Sequence, residues 1–207
     1  MRLPQALALS TALCGLVLSA PARADDAQGF IEQQHQKLER MLHAPPSPTR
    51  DAEVNGALGG FVDYDDLVQH AFGEPCPATI PTCDDLWAKF SPDQRAQVHD
   101  LLRQVVEASY RRNLTKTLDY DVTYRGTRDA AGDIRVLTEA KSKTNPRDTP
   151  VRVDYVVKDT PGGKRVVDII TEGSSFTKNL YTQFRTMMQE GGYDRVAAKL
   201  RDKIAKG

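Results

Sequence analysis

Between residues 151 and 172, apolar and polar side chains follow the two-residue period of a β-strand. The first run is VRVDYVVKD, in which every second residue from Val151 to Val157 is apolar or aromatic. This alternation is typical of a strand that buries one face. Pro161-Gly162-Gly163 has the composition of a tight turn, and the second run, RVVDIITEG, is fairly apolar on both faces. We therefore predict an antiparallel hairpin whose second strand is covered on both sides.

Beyond Gly173 the period of the apolar positions becomes helical. Ser174 and Ser175 have side chains of the type that caps a helix. The segment after them carries an apolar stripe at helical spacing, which consists of Phe176, Leu180, Phe184, Met187 and Met188. A stripe that faces an apolar sheet forms either part of an ordinary core or one wall of an apolar pocket. Taken alone, the pattern favours the core.

Helical periods also precede the strands. The clearest begins at Ser91-Pro92-Asp93-Gln94, which combines a capping serine with proline at the first helical position, and it extends to about Thr117. Segments 28–42 and 62–72 are predicted as further helices, and segment 49–60 as a short helix or loop.

From Tyr120 the period is again two. We predict a first strand from Tyr120, a turn at 126–132 and a second strand at 134–143, with the hairpin supplying strands three and four. Two helices split by Gly191-Gly192 end the chain. Helices, then an antiparallel meander, then helices define an α+β fold. We expect a four-stranded antiparallel sheet wrapped by helices.

The first 24 residues have the three parts of a secretory signal peptide. Arg2 is positive, residues 7–18 are apolar, and Ala22-Arg23-Ala24 is a cleavage signal. Cleavage after Ala24 leaves residues 25–207, which we expect to form a single domain. These 183 residues (207 less 24) contain 26 basic and 28 acidic side chains. This near balance provides no electrostatic basis for binding nucleic acid.

Two cysteines, Cys76 and Cys83, remain after cleavage. An even pair close in sequence, in an exported chain, predicts a disulfide. A metal site is the weaker alternative, because no matching Cys or His pair lies nearby. We therefore expect a structural staple rather than a redox centre.

No motif for catalysis or for binding a metal or cofactor is recognisable. The four histidines are not spaced four residues apart, and no phosphate-binding or nucleophile motif occurs. The strand carboxylates Asp154 and Asp168 are the best polar candidates, since in a pocket their pKa could rise enough for acid–base work. The alternative, which the strand pattern favours, is that they face solvent or pair with a basic neighbour, namely Arg152, Lys158 or Arg165.

Several short segments occur in the order found in one known family. They are Val153-Asp154-Tyr155, Val167-Asp168-Ile169, Glu172-Gly173, Ser175, Asn179, Gln183-Phe184 and Gly192, preceded by Phe61-Val62-Asp63-Tyr64, Ala71-Phe72-Gly73 and Ser91-Pro92-Asp93-Gln94-Arg95. In these segments the chain resembles the MlaC family of periplasmic phospholipid-binding proteins, also called toluene-tolerance auxiliary proteins. It departs from the family pattern at Leu180-Tyr181, where the family has Tyr-Arg, and in the loop CPATIPTC, which looks inserted.

The resemblance implies a periplasmic carrier, not an enzyme, that moves phospholipid between an inner-membrane ABC transporter and an outer-membrane lipoprotein complex. Such transport serves the lipid asymmetry of the outer membrane. Some relatives accompany hopanoid pathways, so phospholipid and hopanoid are both candidate cargoes. Burial of one CH₂ group contributes about 0.8 kcal/mol, so two acyl chains contribute on the order of 20 kcal/mol before costs. An apolar lipid cavity therefore needs no charged head-group site.

We expect this cavity between the sheet and the helices at 91–117 and 176–190. Its predicted lining is apolar and aromatic: Val106, Tyr110, Val122, Tyr124, Val153, Tyr155, Val167, Ile169, Phe176, Leu180, Phe184 and Met187. A register shift of one residue would exchange the two faces of a strand. Two alternatives stay open, a small periplasmic enzyme with Asp154 or Asp168 as base and a docking subunit without lipid.

Overall fold

The computed structural model describes residues 20–77, 79–145 and 147–206, and it describes their side chains except at 20–25 and 110–117. Residues 1–19 of the predicted signal peptide therefore lie outside the described residues. Within the described part of the chain, no helix is both long enough and apolar enough to cross a membrane.

Three helices form the N-terminal part of the fold. They are α1 (Ala20–Leu42), α2 (Pro48–Phe61) and α3 (Tyr64–Ala71). The side chains of Ser47 and Asp63 cap α2 and α3, and each accepts a hydrogen bond from the backbone N–H three residues later. These caps satisfy N–H groups that have no partner inside the helix. The segment predicted as a helix or loop at 49–60 is a helix.

Two long helices flank the sheet in sequence. A 3₁₀ turn at Trp87–Lys89 precedes α4 (Pro92–Thr117), and α5 (Phe176–Ala205) ends the described chain. The backbone of α5 is not helical at Gly191 and Gly192, so a kink divides α5 where the sequence predicts a split. Gly192 has φ +63°, a left-handed conformation that favours glycine.

The strands form one antiparallel sheet in sequence order. They are β1 (Tyr120–Ala130), β2 (Asp133–Ser142), β3 (Val151–Thr160), β4 (Gly163–Thr171) and β5 (Ser174–Ser175). The prediction of four strands is wrong, because Ser174 and Ser175 pair back onto Ile170 and Thr171 before α5 begins. The antiparallel α+β arrangement itself is confirmed.

The first strand is longer than predicted. The predicted turn at 126–132 is wrong over most of its length, since β1 continues through Gly126 to Ala130. A register shift between Tyr124 and Thr127 interrupts the pairing with β2, and Gly126 has φ +95° there. A glycine in this conformation accommodates a β-bulge, which hides the two-residue period in the sequence.

The main core lies between the helices and one face of the sheet. The register places Val136 opposite Tyr155 and Ile134 opposite Val157, so Tyr155 and Val157 share the core-facing side as predicted. On the helical side, Phe72 stacks on Phe184 of α5, with ring centroids 4.6 Å apart. The predicted disulfide between Cys76 and Cys83 is present.

Candidate functional site

An apolar groove of about 340 Å³ lies among α2, α3, α4, β4 and the first turn of α5. We call it the α5 groove. Its apolar and aromatic lining residues are Leu58, Phe61, Val62, Tyr64, Leu67, Val106, Val166, Ile169 and Phe176. Its polar lining residues are Ser109, Asp168, Thr171, Ser174 and Asn179. A mostly apolar groove with few polar groups suits a ligand that is itself mostly apolar.

The junction between α2 and α3 closes one side of this groove. Val62 forms a parallel bridge with Val166 of β4, and the N–H of Asp63 donates to the carbonyl of Val166 over 2.9 Å. Phe61 is fully buried directly before this bridge. The backbone contact therefore fixes the aromatic and aliphatic side chains of the α2–α3 junction against the sheet.

Asp168 is the only carboxylate among the described residues that line the α5 groove, and it holds the start of α5. One oxygen accepts from the Ser175 hydroxyl at 2.6 Å and the other from the Thr177 N–H at 3.0 Å. A negative charge is favourable at a helix N-terminus. We predicted that Asp168 would face solvent or pair with a basic side chain. The structure instead bonds it to the start of α5. Both carboxylate oxygens of Asp168 are therefore engaged in anchoring the helix.

Asp154, the other candidate carboxylate, is fully buried and lines neither this groove nor the second one. It pairs with the guanidinium of Arg135 on β2, with Nε at 2.8 Å, and accepts from the N–H of Thr138 at 3.3 Å. The predicted solvent exposure and the predicted partners were wrong. A buried carboxylate requires a cation and N–H donors, and the adjacent strand β2 supplies both.

A second groove, also of about 340 Å³, lies among α1, β1 and β3. We call it the α1 groove. Its apolar and aromatic lining residues are Leu38, Leu42, Leu118, Tyr120, Val122, Tyr124 and Tyr155. Its polar lining residues are His35, Gln36, Glu39, Asp121 and Lys143. The α1 groove is thus amphipathic, with charged side chains among its lining residues.

His35 and two tyrosines form a half-buried cluster in the α1 groove. His35 Nδ1 lies 2.7 Å from the Tyr124 hydroxyl, and its ring meets the Tyr155 ring edge-on at 5.1 Å. Burial lowers the pKa of His35 to about 4, and burial raises the pKa of Tyr124 and of Tyr155. All three side chains are therefore neutral near pH 7.

An aromatic layer separates the two grooves. Phe61 lines the α5 groove and Tyr155 lines the α1 groove, and their ring centroids are 6.2 Å apart. Phe30 of α1 contacts Phe61 from the other side at 5.9 Å. The two grooves would become continuous at this point only if these rings moved apart.

The predicted lining residues divide among several environments. Val106, Ile169 and Phe176 line the α5 groove. A second set, Val122, Tyr124 and Tyr155, lines the α1 groove. The structure buries Val167, Leu180 and Phe184, and Val153 is half-buried without lining either groove.

The two remaining predicted residues are Met187 and Tyr110. Met187 lines a separate groove of about 630 Å³, whose other lining residues are mostly polar and belong to the two segments of α5 on either side of the glycine kink. The side chain of Tyr110 lies outside the described side chains.

The sequence prediction missed the contribution of α2 and α3. Leu58, Phe61, Val62, Tyr64 and Leu67 line the α5 groove but precede the sheet by more than fifty residues. The F-V-D-Y segment that contributes to the family resemblance is the one signal that pointed to this stretch. Among the described residues, no group of three or more His, Cys, Asp or Glu side chains is placed to hold a metal ion.

The comparisons with known proteins agree with this fold. A phospholipid-binding protein from Ralstonia solanacearum, solved in complex with a phospholipid, is similar with a TM-score of 0.70 and 21% sequence identity. The similarity covers 87% of this chain and 98% of the Ralstonia protein. No curated protein sequence matches the chain significantly.

The sequence profile described as MlaC protein matches residues 84–202, which is more than half of the chain. This match includes α4, the whole sheet and nearly all of α5. The chain therefore belongs to the MlaC family.

Proposed function

We propose that this protein is a periplasmic lipid carrier that binds an acyl chain of a phospholipid in the α5 groove. The observation that carries this proposal is the composition of the groove: apolar walls from five elements, with its one carboxylate engaged by α5. The Ralstonia protein of similar fold, described as phospholipid-binding, supports the same ligand class.

The volume of the α5 groove fits one acyl chain. A bilayer core of about 30 Å allots about 15 Å to the chains of each leaflet. A groove of about 340 Å³ and of that length has a cross-section of roughly 20 Å². Carbon atoms pack about 4 Å apart, so one methylene chain fills a channel of this width. We therefore propose that the groove takes one acyl chain.

The binding energy of one chain is sufficient for a carrier. Burying about a dozen methylenes contributes roughly 10 kcal/mol before the costs of association. We propose Val106, Ile169 and Phe176 as the contacts among the predicted lining residues. Val122, Tyr124 and Tyr155 line the α1 groove, across the aromatic layer from the proposed acyl chain.

The proposed route of the cargo follows the family. The carrier receives or delivers lipid at an inner-membrane ABC transporter and at an outer-membrane lipoprotein complex. An apolar groove without a charged head-group site releases its cargo slowly on its own, so a partner that displaces a wall of the groove would accelerate transfer.

Native mass spectrometry of protein purified from a periplasmic extract tests the lipid-binding proposal directly. We expect a stoichiometric adduct, whose mass after organic extraction identifies a phospholipid or a hopanoid. A clean mass of the protein alone, unchanged after incubation with phospholipid vesicles, would contradict the carrier function.

A further inference from the structure

Tyr181 joins α5 to the segment that follows the disulfide loop, residues 76–83. The Tyr181 side chain is fully buried, and its hydroxyl makes two hydrogen bonds to a single residue. It accepts from the N–H of Asp84 at 2.7 Å and donates to the carbonyl of Asp84 at 3.1 Å. Asp84 follows Cys83 directly in the sequence. The position of α5 therefore depends on the backbone at the end of the disulfide loop.

The packing around this contact leaves little room for adjustment. Gly73 has φ +85°, and a Cβ atom there would lie 2.8 Å from both the Asp84 carbonyl oxygen and Cε2 of Tyr181. Only glycine tolerates both the backbone conformation and this approach. Arg185, one turn farther along α5, donates to the Thr82 hydroxyl at 3.3 Å. The disulfide loop and α5 thus meet at two successive helical turns.

The same part of α5 forms an edge of the α5 groove. Phe176 and Asn179 line the groove, and Asp168 holds the first turn through Ser175 and Thr177. The first two turns of α5 are therefore fixed at one end to β4 and at the other end, through Tyr181, to the disulfide loop.

We infer that Tyr181 is a positioning residue that makes lipid retention depend on the Cys76–Cys83 disulfide. This inference rests on the proposed lipid-binding function. A dithiol reductant opens the ring, yielding two cysteine thiols while it is itself oxidised to a disulfide. The Asp84 backbone then loses its covalent restraint, Tyr181 loses a fixed partner, and the groove edge formed by Phe176 loosens. The oxidised protein holds lipid longer than the reduced protein.

A cycle of four species tests this coupling. Wild type and Tyr181→Phe are each loaded with a fluorescent phospholipid, and the rate of its loss to acceptor vesicles is measured with the disulfide oxidised and reduced. We expect reduction to accelerate the loss of lipid from wild type about threefold to tenfold. This range corresponds to the net free energy of about one hydrogen bond. Oxidised Tyr181→Phe should lose lipid at a similarly raised rate. Reduction of this variant should add less than about twofold, because Tyr181 transmits the effect.

Tyr193→Phe is the matched control on the same helix. Its hydroxyl bonds to Gln97 Oε1, beyond the glycine kink and away from the disulfide loop. This variant should keep the wild-type rate and the full effect of reduction. Replacing both cysteines by serine reproduces the open ring without a reductant and should match reduced wild type.

Additive effects of reduction and of Tyr181→Phe, or no effect of reduction on the rate of loss, would overturn the inference while leaving lipid binding intact. Failure of the oxidised wild type to load any lipid would instead overturn the proposed function and this inference with it. If Tyr181→Phe does not fold, hydrogen exchange of wild type decides the matter. The amides of residues 176–184 should exchange faster after reduction, and unchanged exchange would contradict the inference.

Discussion

The two grooves have the same volume, about 340 Å³ each, but differ in the chemistry of their walls. The α5 groove is mostly apolar, and the carboxylate among its described lining residues, Asp168, is bonded to the start of α5. The α1 groove combines tyrosines with His35 and the ionic side chains of Glu39, Asp121 and Lys143.

Because the two volumes are equal, our proposal that the α5 groove takes an acyl chain rests on the chemistry of the walls and not on size. A hydrocarbon in the α1 groove would cover polar side chains that are better hydrated, which costs free energy. A hydrocarbon in the α5 groove displaces water from apolar surface, which is favourable. Four experiments test this difference between the two grooves.

The largest effect is expected from placing a charge in the α5 groove. Val106→Asp introduces a carboxylate among apolar walls, and covering it with a chain costs about 2 kcal/mol or more. Phospholipid affinity, measured by fluorescent-lipid titration, should fall at least about 30-fold. The control is Val122→Asp in the α1 groove, which should change affinity less than about twofold. Equal losses in both variants would show that both grooves hold lipid.

The next effect concerns stability and pH in the α1 groove. Folding lowers the pKa of His35 from 6.5 to about 4, so the folded state favours the neutral imidazole. The associated stability is complete above about pH 6.5 and is lost as the pH falls towards 4. Between pH 7 and pH 4.5 this linkage removes about 2 kcal/mol from the free energy of unfolding.

The measurement is urea unfolding of wild type and His35→Gln at both pH values. The difference in stability between pH 7 and pH 4.5 should be about 2 kcal/mol smaller in the variant. Titration of the carboxylates is common to both proteins and cancels in this comparison. His43→Gln, one residue beyond the same helix, serves as the control for replacing an exposed histidine. If the stability of His35→Gln depended on pH as strongly as that of wild type, the lowered pKa of His35 would be contradicted.

A smaller effect is expected at the edges of the grooves. Phe176 and Tyr120 are equally exposed, at 36% each, and line the α5 and α1 grooves respectively. Phe176→Ala should weaken phospholipid binding about fivefold, because the ligand covers part of the ring. Tyr120→Ala should have less than a twofold effect in the same titration. The opposite order would place the lipid in the α1 groove.

The smallest effect is expected from removing one acyl chain of the ligand. If only the α5 groove takes a chain, a lysophospholipid should bind within about threefold of the diacyl lipid with the same head group. Competition against the fluorescent lipid measures the ratio. A diacyl lipid that binds 100-fold more tightly would show that the second chain also enters the protein, which requires displacement of Phe61 or Tyr155.

The elements predicted correctly are those in which the hydrophobic period is sustained over many residues or in which the boundary signals are strong. The alternation from Val151 to Val157 and the start signal at Ser91-Pro92 each involve residues close in sequence. β5 has only two residues, too few to show a period. The bulge at Gly126 breaks the alternation of β1 and so resembled a turn.

The site was less predictable because it depends on contacts distant in sequence. Asp154 finds its partner Arg135 only after β2 and β3 pair in one particular register. Leu58 and Phe61 reach the groove through the bridge between Val62 and Val166. The apolar stripe of α5 indicated a buried face, but it could not show that Phe184 enters the core while Phe176 reaches the groove.

The glycine pair in α5 lies where a small change in backbone direction would displace one edge of the α5 groove. The segment from Phe176 to Glu190 is about 22 Å long at 1.5 Å per residue, and Gly191-Gly192 lies at its far end. A rotation of only about 10° about this hinge would move the first turn by roughly 4 Å, the width of one methylene chain. A movement of this size would break the bonds of Asp168 to Ser175 and Thr177 and the contact of Tyr181 with Asp84, so these contacts are what hold the first turn in place.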